Sequence, residues 1–405
     1  MLSFVLGAAC VSAPARAEST DGGADPARSA IVFYQRHLSA MRHMHCRFTP
    51  SCSQYAIDAI AAYGVVEGSA RAADRLMRCN EGADTRYAPG TDGLLSDPAT
   101  GPRASVQEIR APEWLSPPSA PDAPPVAVGV SADRRARLAE AIEFARQLEQ
   151  RGDVERASSE FQRAGMLADT LAAQSWAFTR VGDGWFRAEQ WLFADRAYLT
   201  AAMLEGDPSR RAAIGWSSAL SRFDAGAYVA CASLLADSAL APAAMASEER
   251  ADARAHVVSL EGLCAFAVGS WDVAERDFAL ASRVAPDAGF RARAERLRPF
   301  VVQGRALPHR SPAFAGALST FVPGAGQAYA GHVRDGLRHL LFNAALGYTV
   351  YALASNEQVP ASVIVGSVAL PFYFGNVIGA RESARRFDRE QRMRLLARAI
   401  EDSAR

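Results

Sequence analysis

The chain contains no lysine; all 44 of its basic residues are arginine. A phosphate-binding P-loop needs a lysine on the β- and γ-phosphates, so that class of nucleotide site is excluded. Schiff-base and serine–lysine mechanisms are excluded for the same reason. Cysteine is sparse: Cys10, Cys46, Cys52, Cys79, Cys231 and Cys264 are too few in 405 residues for a disulfide scaffold. Cys231 and Cys264 lie in Ala-rich helical text and read as small buried apolar residues. Net charge is missing too, because 44 acidic residues balance the arginines, so nothing points to a nucleic-acid partner. The apolar run Leu2–Val11 lacks the basic n-region of a secretory signal, although Ala15-Arg16-Ala17 fits a small-x-small cleavage site. Residues 1–25 are therefore read as a signal peptide or a short N-terminal anchor.

The rest of the chain divides by composition. Residues 26–97 carry Cys, Arg and aromatic residues. Residues 98–130 hold eight prolines from Pro98 to Pro125 and read as an extended linker. Residues 131–300 are Ala-rich and repeat. Ala157, Ala194, Cys231 and Ala274 stand at equivalent positions, 37, 37 and 43 residues apart. Each is followed four residues later by Phe161, Tyr198, Leu235 or Phe278, on the same helix face. The units resemble degenerate tetratricopeptide-type repeats, whose usual period is about 34. They imply an α-solenoid of about four helix pairs that either binds a protein partner or acts as a spacer.

Residues 311–380 read as membrane-embedded. Gly336–Ala354 and Val359–Ala380 are each long enough to cross a hydrocarbon core of roughly 30 Å. Arg338 and His339 lie near the start of the first span, where they can snorkel. Pro323-Gly324-Ala325-Gly326-Gln327-Ala328-Tyr329 precedes it. Its glycines are misplaced for a dinucleotide loop and instead permit a tight re-entrant or interfacial turn. The segment resembles the opening of small bacterial two-helix membrane domains. An Arg-rich tail, 381–405, follows. Arginines flank both spans and the hairpin loop has none, so the positive-inside rule puts both flanks in the cytoplasm. A cleaved signal would place them in the periplasm instead.

The densest chemistry is Cys46-Arg47-Phe48-Thr49-Pro50-Ser51-Cys52-Ser53-Gln54-Tyr55. Pro50 biases Thr49 to an extended backbone, and Ser51 with Gln54 forms a capping box that starts a helix. Three helices are expected: Ala30–Met44, amphipathic; Cys52–Tyr63, stopped by Gly64; and Val66–Cys79. Residues 26–79 hold seven Arg against Asp58, Glu67 and Asp74, a net of about +4. Arg28, Arg36, Arg42, Arg71, Arg75 and Arg78 are the candidate basic face for phospholipid headgroups or nascent chain. Cys46, Cys52 and Cys79 leave a metal site, a disulfide or free thiols open. Their spacing is not the close pairing usual in zinc sites, so no metal or cofactor is expected. No base stands beside any of them, so no enzyme is expected.

Tyr34-Gln35-Arg36, Cys46-Arg47-Phe48, Pro50-Ser51-Cys52-Ser53 with Tyr55, Gly64, Arg75 and Cys79 together resemble the membrane protein insertion efficiency factor family (YidD-like). Order and spacing hold over about 50 residues. The resemblance implies a small helical, non-enzymatic domain at the bacterial inner membrane, assisting a YidC-type insertase or the Sec translocon. The sequence departs from the family after Cys79, where Asn80-Glu81 replaces His-Pro; only Gly93 and Asp97-Pro98 match the family's ending. The expected molecule is thus all-α: a three-helix Cys/Arg domain, a Pro-rich linker, an α-solenoid and a C-terminal transmembrane helical hairpin. The expected function is an inner-membrane accessory factor for membrane-protein insertion. The alternative is an envelope scaffold whose repeats bind a partner and whose Cys domain is vestigial.

Overall fold

The computed structural model describes residues 26–37, 46–79, 83, 87, 94–100, 109–115, 131–236 and 251–405. The expected all-α class holds. Helix α1 (Pro26–His37) is followed by strand β1 (Phe48–Thr49), helix α2 (Cys52–Arg78) and strand β2 (Leu95–Ser96). The two strands pair in parallel, Phe48 opposite Leu95 and Thr49 opposite Ser96. The expected start of α2 is present: the Gln54 N–H donates to Ser51 Oγ at 3.3 Å. So is the expected break, because Gly64 takes φ 78° and splits α2 in two. The second half folds back across the first so closely that a Cβ on Gly68 would sit 2.5 Å from Ile60 Cα. Of the helix expected over Ala30–Met44, residues up to His37 are helical and 38–44 lie outside the described residues. The possible signal, residues 1–25, also lies outside them.

The solenoid comprises α3 (Ala132–Gln150), α4 (Val154–Leu167), α5 (Leu171–Arg187), α6 (Trp191–Leu204), α7 (Pro208–Asp224), α8 (Tyr228–Leu235), α9 (Ala251–Val268), α10 (Trp271–Arg283) and α11 (Ala288–Arg305). Ala157, Ala194, Cys231 and Ala274 each occupy the fourth residue of α4, α6, α8 and α10, and all are buried. Their large partners four residues on are buried too. Sixteen positions before each large residue the preceding helix carries a small one: Ala145 and Ala219 share a core cluster with Phe161 and Leu235, and Gly182 and Gly262 face Tyr198 and Phe278 directly. A Cβ on Gly182 would meet the Tyr198 ring at 2.5 Å, and one on Gly262 the Phe278 ring at 2.6 Å. The turn before each second helix needs a left-handed residue. Gly152, Gly226 and Gly269 supply it with φ between 72° and 86°, and Glu189 takes the same place at φ 60°.

Two expectations about this region change. Cys231 and Cys264 are not separate small apolar residues but a disulfide joining α8 to α9. Residues 109–115, within the supposed extended linker, are docked on the solenoid: Ile109 and Leu115 are buried in its core. The Ala111 N–H donates to Asp224 Oδ1 at 2.7 Å, and Arg110 pairs with Glu189 at 2.5 Å.

After α12 (Pro312–Phe321) and α13 (Ala325–Tyr329), α14 (Val333–Ser355) and α15 (Val359–Ser403) form the C-terminal hairpin. The Pro-Gly-x-Gly-Gln turn is locked by polar bonds. Gly324, at φ 89°, donates its N–H to Asn376 Oδ1 at 2.8 Å. Gln327 Nε2 donates to the Asn376 carbonyl at 2.8 Å, and Asn376 Nδ2 donates to the Ser319 carbonyl at 2.8 Å. Among the described residues α15 is the one helix long and apolar enough to cross a membrane, with mean hydropathy 1.7 in its apolar window. Its partner α14, expected as a second span, falls short by composition. His339 does not snorkel: it is buried, 3.9 Å from Asp74. Beyond residue 380, α15 continues as helix, and Met393, Leu395, Leu396 and Ala399 pack with Leu263, Leu297 and Val301 of the solenoid.

Candidate functional site: a buried ion network and a three-thiol cluster

The second half of α2 lies on α15. Gly375 and Gly379, one helical turn apart, allow the approach: a Cβ on Gly375 would sit 2.5 Å from the Ala70 carbonyl, and one on Gly379 2.0 Å from Asp74 Oδ1. This is the small-xxx-small device by which helices approach closely.

Arg75 and Arg78 are buried, and their charges are met inside. Arg75 stands over the rings of Phe48, 3.9 Å from the centroid, and Tyr55, 4.7 Å away. Its Nε is 3.2 Å from Asp97 Oδ2, while its two Nη atoms donate to the Asp97 and Pro50 carbonyls at 3.3 and 3.2 Å. Arg78 binds Asp74 at 2.8 Å and Asp97 at 3.0 Å, and donates to the Tyr87 hydroxyl. Burial works against the Arg78 charge, but the Asp74 and Asp97 carboxylates outweigh it and hold the guanidinium more firmly protonated than usual. Tyr87 also accepts from Arg386 of α15 at 3.0 Å. One network therefore ties β2, α2 and the hairpin together.

This corrects the expected basic face. Arg75 and Arg78 point inward, where no headgroup or nascent chain reaches them. Arg71 stays near the surface, stacked over Tyr63 at 4.1 Å and paired with Glu67 at 2.7 Å. Arg36 is exposed on α1. The Arg28 side chain and the whole of Arg42 lie outside what is described. Of the motif residues, Gln35 donates to Ser53 Oγ at 3.0 Å, which docks α1 on the start of α2. Tyr34 is half-buried on the same helix, and Arg47 leads into β1.

Cys46, Cys52 and Cys79 come together from three places: the approach to β1, the first residue of α2 and the residue capping its end. Their sulfurs lie within 4.8 Å of one another. Cys46 and Cys52 Sγ are 3.4 Å apart, and the Cys52 N–H donates to Cys46 Sγ at 3.3 Å. The hydrogen bond from Cys52 pulls the Cys46 thiol down to about 5 against the opposing effect of burial. The same bond, with burial, pushes the Cys52 thiol up. Sequence reasoning missed Asp74, Tyr87, Asp97 and Arg386; the only signal was Asp97-Pro98, noted as the motif's ending.

The arrangement defines an all-α, membrane-associated protein whose small motif-bearing unit is bound to a hairpin. Residues 24–90 match the family model described as membrane protein insertion efficiency factor, YidD. A factor of that description from Clostridium beijerinckii is 51% identical over 59 residues, which is 15% of this chain and 86% of the relative. One from Marinobacter nauticus is 41% identical over 80 residues, 19% of this chain and 81% of the relative. One from Rubrobacter xylanophilus is 53% identical over 47 residues, 12% of this chain and 67% of the relative. No solved structure matches the chain. The chain belongs to the membrane protein insertion efficiency factor family. In it the family domain is joined to helical repeats and a C-terminal hairpin, and a membrane-insertion accessory role goes with the family.

Proposed function

We propose that the protein is a non-enzymatic bacterial inner-membrane factor that assists a YidC-type insertase or the Sec translocon. The observation that supports this most is the seating of the family motif on α15: Gly375 and Gly379 bring Ala70 and Asp74 against the helix able to cross a membrane. The family unit is held at the bilayer by its own chain rather than by surface charge. Residues 26–97 are the working domain in this reading, 98–130 a partly docked connector, 131–300 the repeats, 311–380 the anchor and 381–405 a brace on the repeats. Arg36 and Arg71 remain for headgroups or nascent chain. The test is insertion of a YidC-dependent substrate into inverted membrane vesicles with and without the full chain. Insertion should rise with the wild-type chain, and Gly379→Leu, which blocks the α2–α15 contact, should remove the gain. An unchanged yield with the wild-type chain would refute the role.

A second reading is favoured by the disulfide. Cys231–Cys264 sits in the repeats, and disulfides persist in oxidising compartments. That supports a periplasmic solenoid acting as an envelope scaffold, against the arginine-based preference for the cytoplasm. Labelling of intact cells decides between them. Peptide mapping that finds Cys231 and Cys264 labelled by an impermeant thiol reagent after reductant but without inner-membrane permeabilisation would place the repeats in the periplasm; labelling of the two only after permeabilisation would place them in the cytoplasm.

A further inference from the structure

We propose that Cys46, Cys52 and Cys79 form a three-thiolate site for a thiophilic divalent ion, Zn²⁺ in the first instance. A zinc ion bound tetrahedrally at about 2.3 Å from each sulfur sets neighbouring sulfurs about 3.8 Å apart. Here one edge is 3.4 Å and none exceeds 4.8 Å, so small side-chain rotations close the set. A disulfide between any two would strand the third beside it. None of the three is bonded to another, although Cys231 and Cys264 are. All three are half-buried, which leaves an approach for the ion and an open fourth position for water or an outside donor.

The position of the cluster explains what an ion would do. Cys52 opens α2 and Cys79 closes it, so one ion would clasp both ends of a helix broken at Gly64. Cys46 adds the approach to β1. Cys46 and Cys79 both lie against the small core of Phe48, Ala83, Tyr87 and Leu95. A core that small gains little from burial alone, and short domains commonly need a staple of this kind. Arg75, bound to the Pro50 carbonyl within the Cys46–Cys52 loop, supplies nearby positive charge for a site that carries three thiolates against a dication. Spacing along the sequence argued against zinc because ligands usually come as close pairs; the cluster is built instead by the fold-back of α2.

The test uses the full chain in detergent with reductant present. Titration with Co²⁺ should produce thiolate-to-cobalt charge-transfer absorption that saturates at one ion per chain and is displaced by Zn²⁺. Cys46→Ser, Cys52→Ser and Cys79→Ser should each lose it, whereas the Cys231→Ser/Cys264→Ser pair should keep it. Because a serine variant can also unfold, a second measurement uses the wild type alone: Zn²⁺ should slow alkylation of all three thiols together. No charge-transfer band, a band that survives Cys79→Ser, or independent alkylation of the three thiols overturns the proposal. So does a Cys46–Cys52 disulfide in peptide maps of protein alkylated at harvest.

Discussion

Among the described residues, 46–99 bury two arginines and two aspartates; the repeats within 131–305 bury alanine and glycine beside Phe161, Tyr198, Leu235 and Phe278. The first region packs guanidinium groups on Phe48, Tyr55 and Tyr87 and closes them with carboxylates. The second repeats one small-and-large pairing four times and locks α8 to α9 with a disulfide. The difference lies in how each fails. A buried ion network is all-or-none, because removing one partner leaves an unpaired charge in a medium that does not solvate it. A repeat stack loses one interface at a time.

The two regions should part most sharply at Asp97, which holds both buried arginines. Asp97→Ala should cost about 3–5 kcal/mol and release the motif region to limited proteolysis, while the solenoid stays protected. Equal loss of protection in both regions would show that they fold as one unit. Next comes Gly262→Ala, which places a methyl in the Phe278 ring and should cost about 1–3 kcal/mol by overpacking. Denaturant melts should show the loss in the solenoid alone, and a neutral result would mean the ring has room to move.

A smaller effect follows from pH. Asp224 is half-buried in the solenoid, and desolvation raises its carboxyl from 3.8 to about 7; the Ala111 N–H and the Arg110 charge offset this only in part. The folded state then holds the proton more tightly than the unfolded state does. Its contribution to stability is full below about pH 4, falls between about 4 and 7, and is flat above that. The slope is at most about 1.4 kcal/mol per pH unit. Asp224→Asn keeps an acceptor for the Ala111 N–H and should flatten the solenoid's pH dependence in that window. If the slope survives the substitution, another group carries it. The smallest change is Glu189→Gly. It relieves a left-handed backbone where the other repeats use glycine, at the loss of one exposed pair with Arg110. The thermal midpoint should rise slightly, and a fall would mean that the Arg110 pair outweighs the strain.

The repeats were legible because a small residue and a large one four later mark one face of a helix. The match of each large residue with a small one sixteen positions earlier was not, since that match joins two helices. The N-cap at Ser51 and the break at Gly64 were legible for the same local reason, although the Gln54 side chain turns to Asp58 instead of closing the box. The spacing of Arg71, Arg75 and Arg78 sets them on one stripe of a helix. Periodicity gives the spacing of a stripe but not its direction, and the partner that turns Arg75 and Arg78 inward, Asp97, directly follows β2. Cys231 looked like the alanine of its repeat because it occupies that place; only the arrival of α9 made it half of a disulfide.

By itself the sequence determined the all-α class, the family motif, the four repeat units and the apolar C-terminal helix, because propensity, capping and periodicity act over a few residues. The tertiary structure decided which arginines are hidden, which cysteines meet, and that the motif rests on Gly375 and Gly379 of α15. Those outcomes depend on charges and close contacts between segments up to about 300 residues apart, which no local pattern encodes.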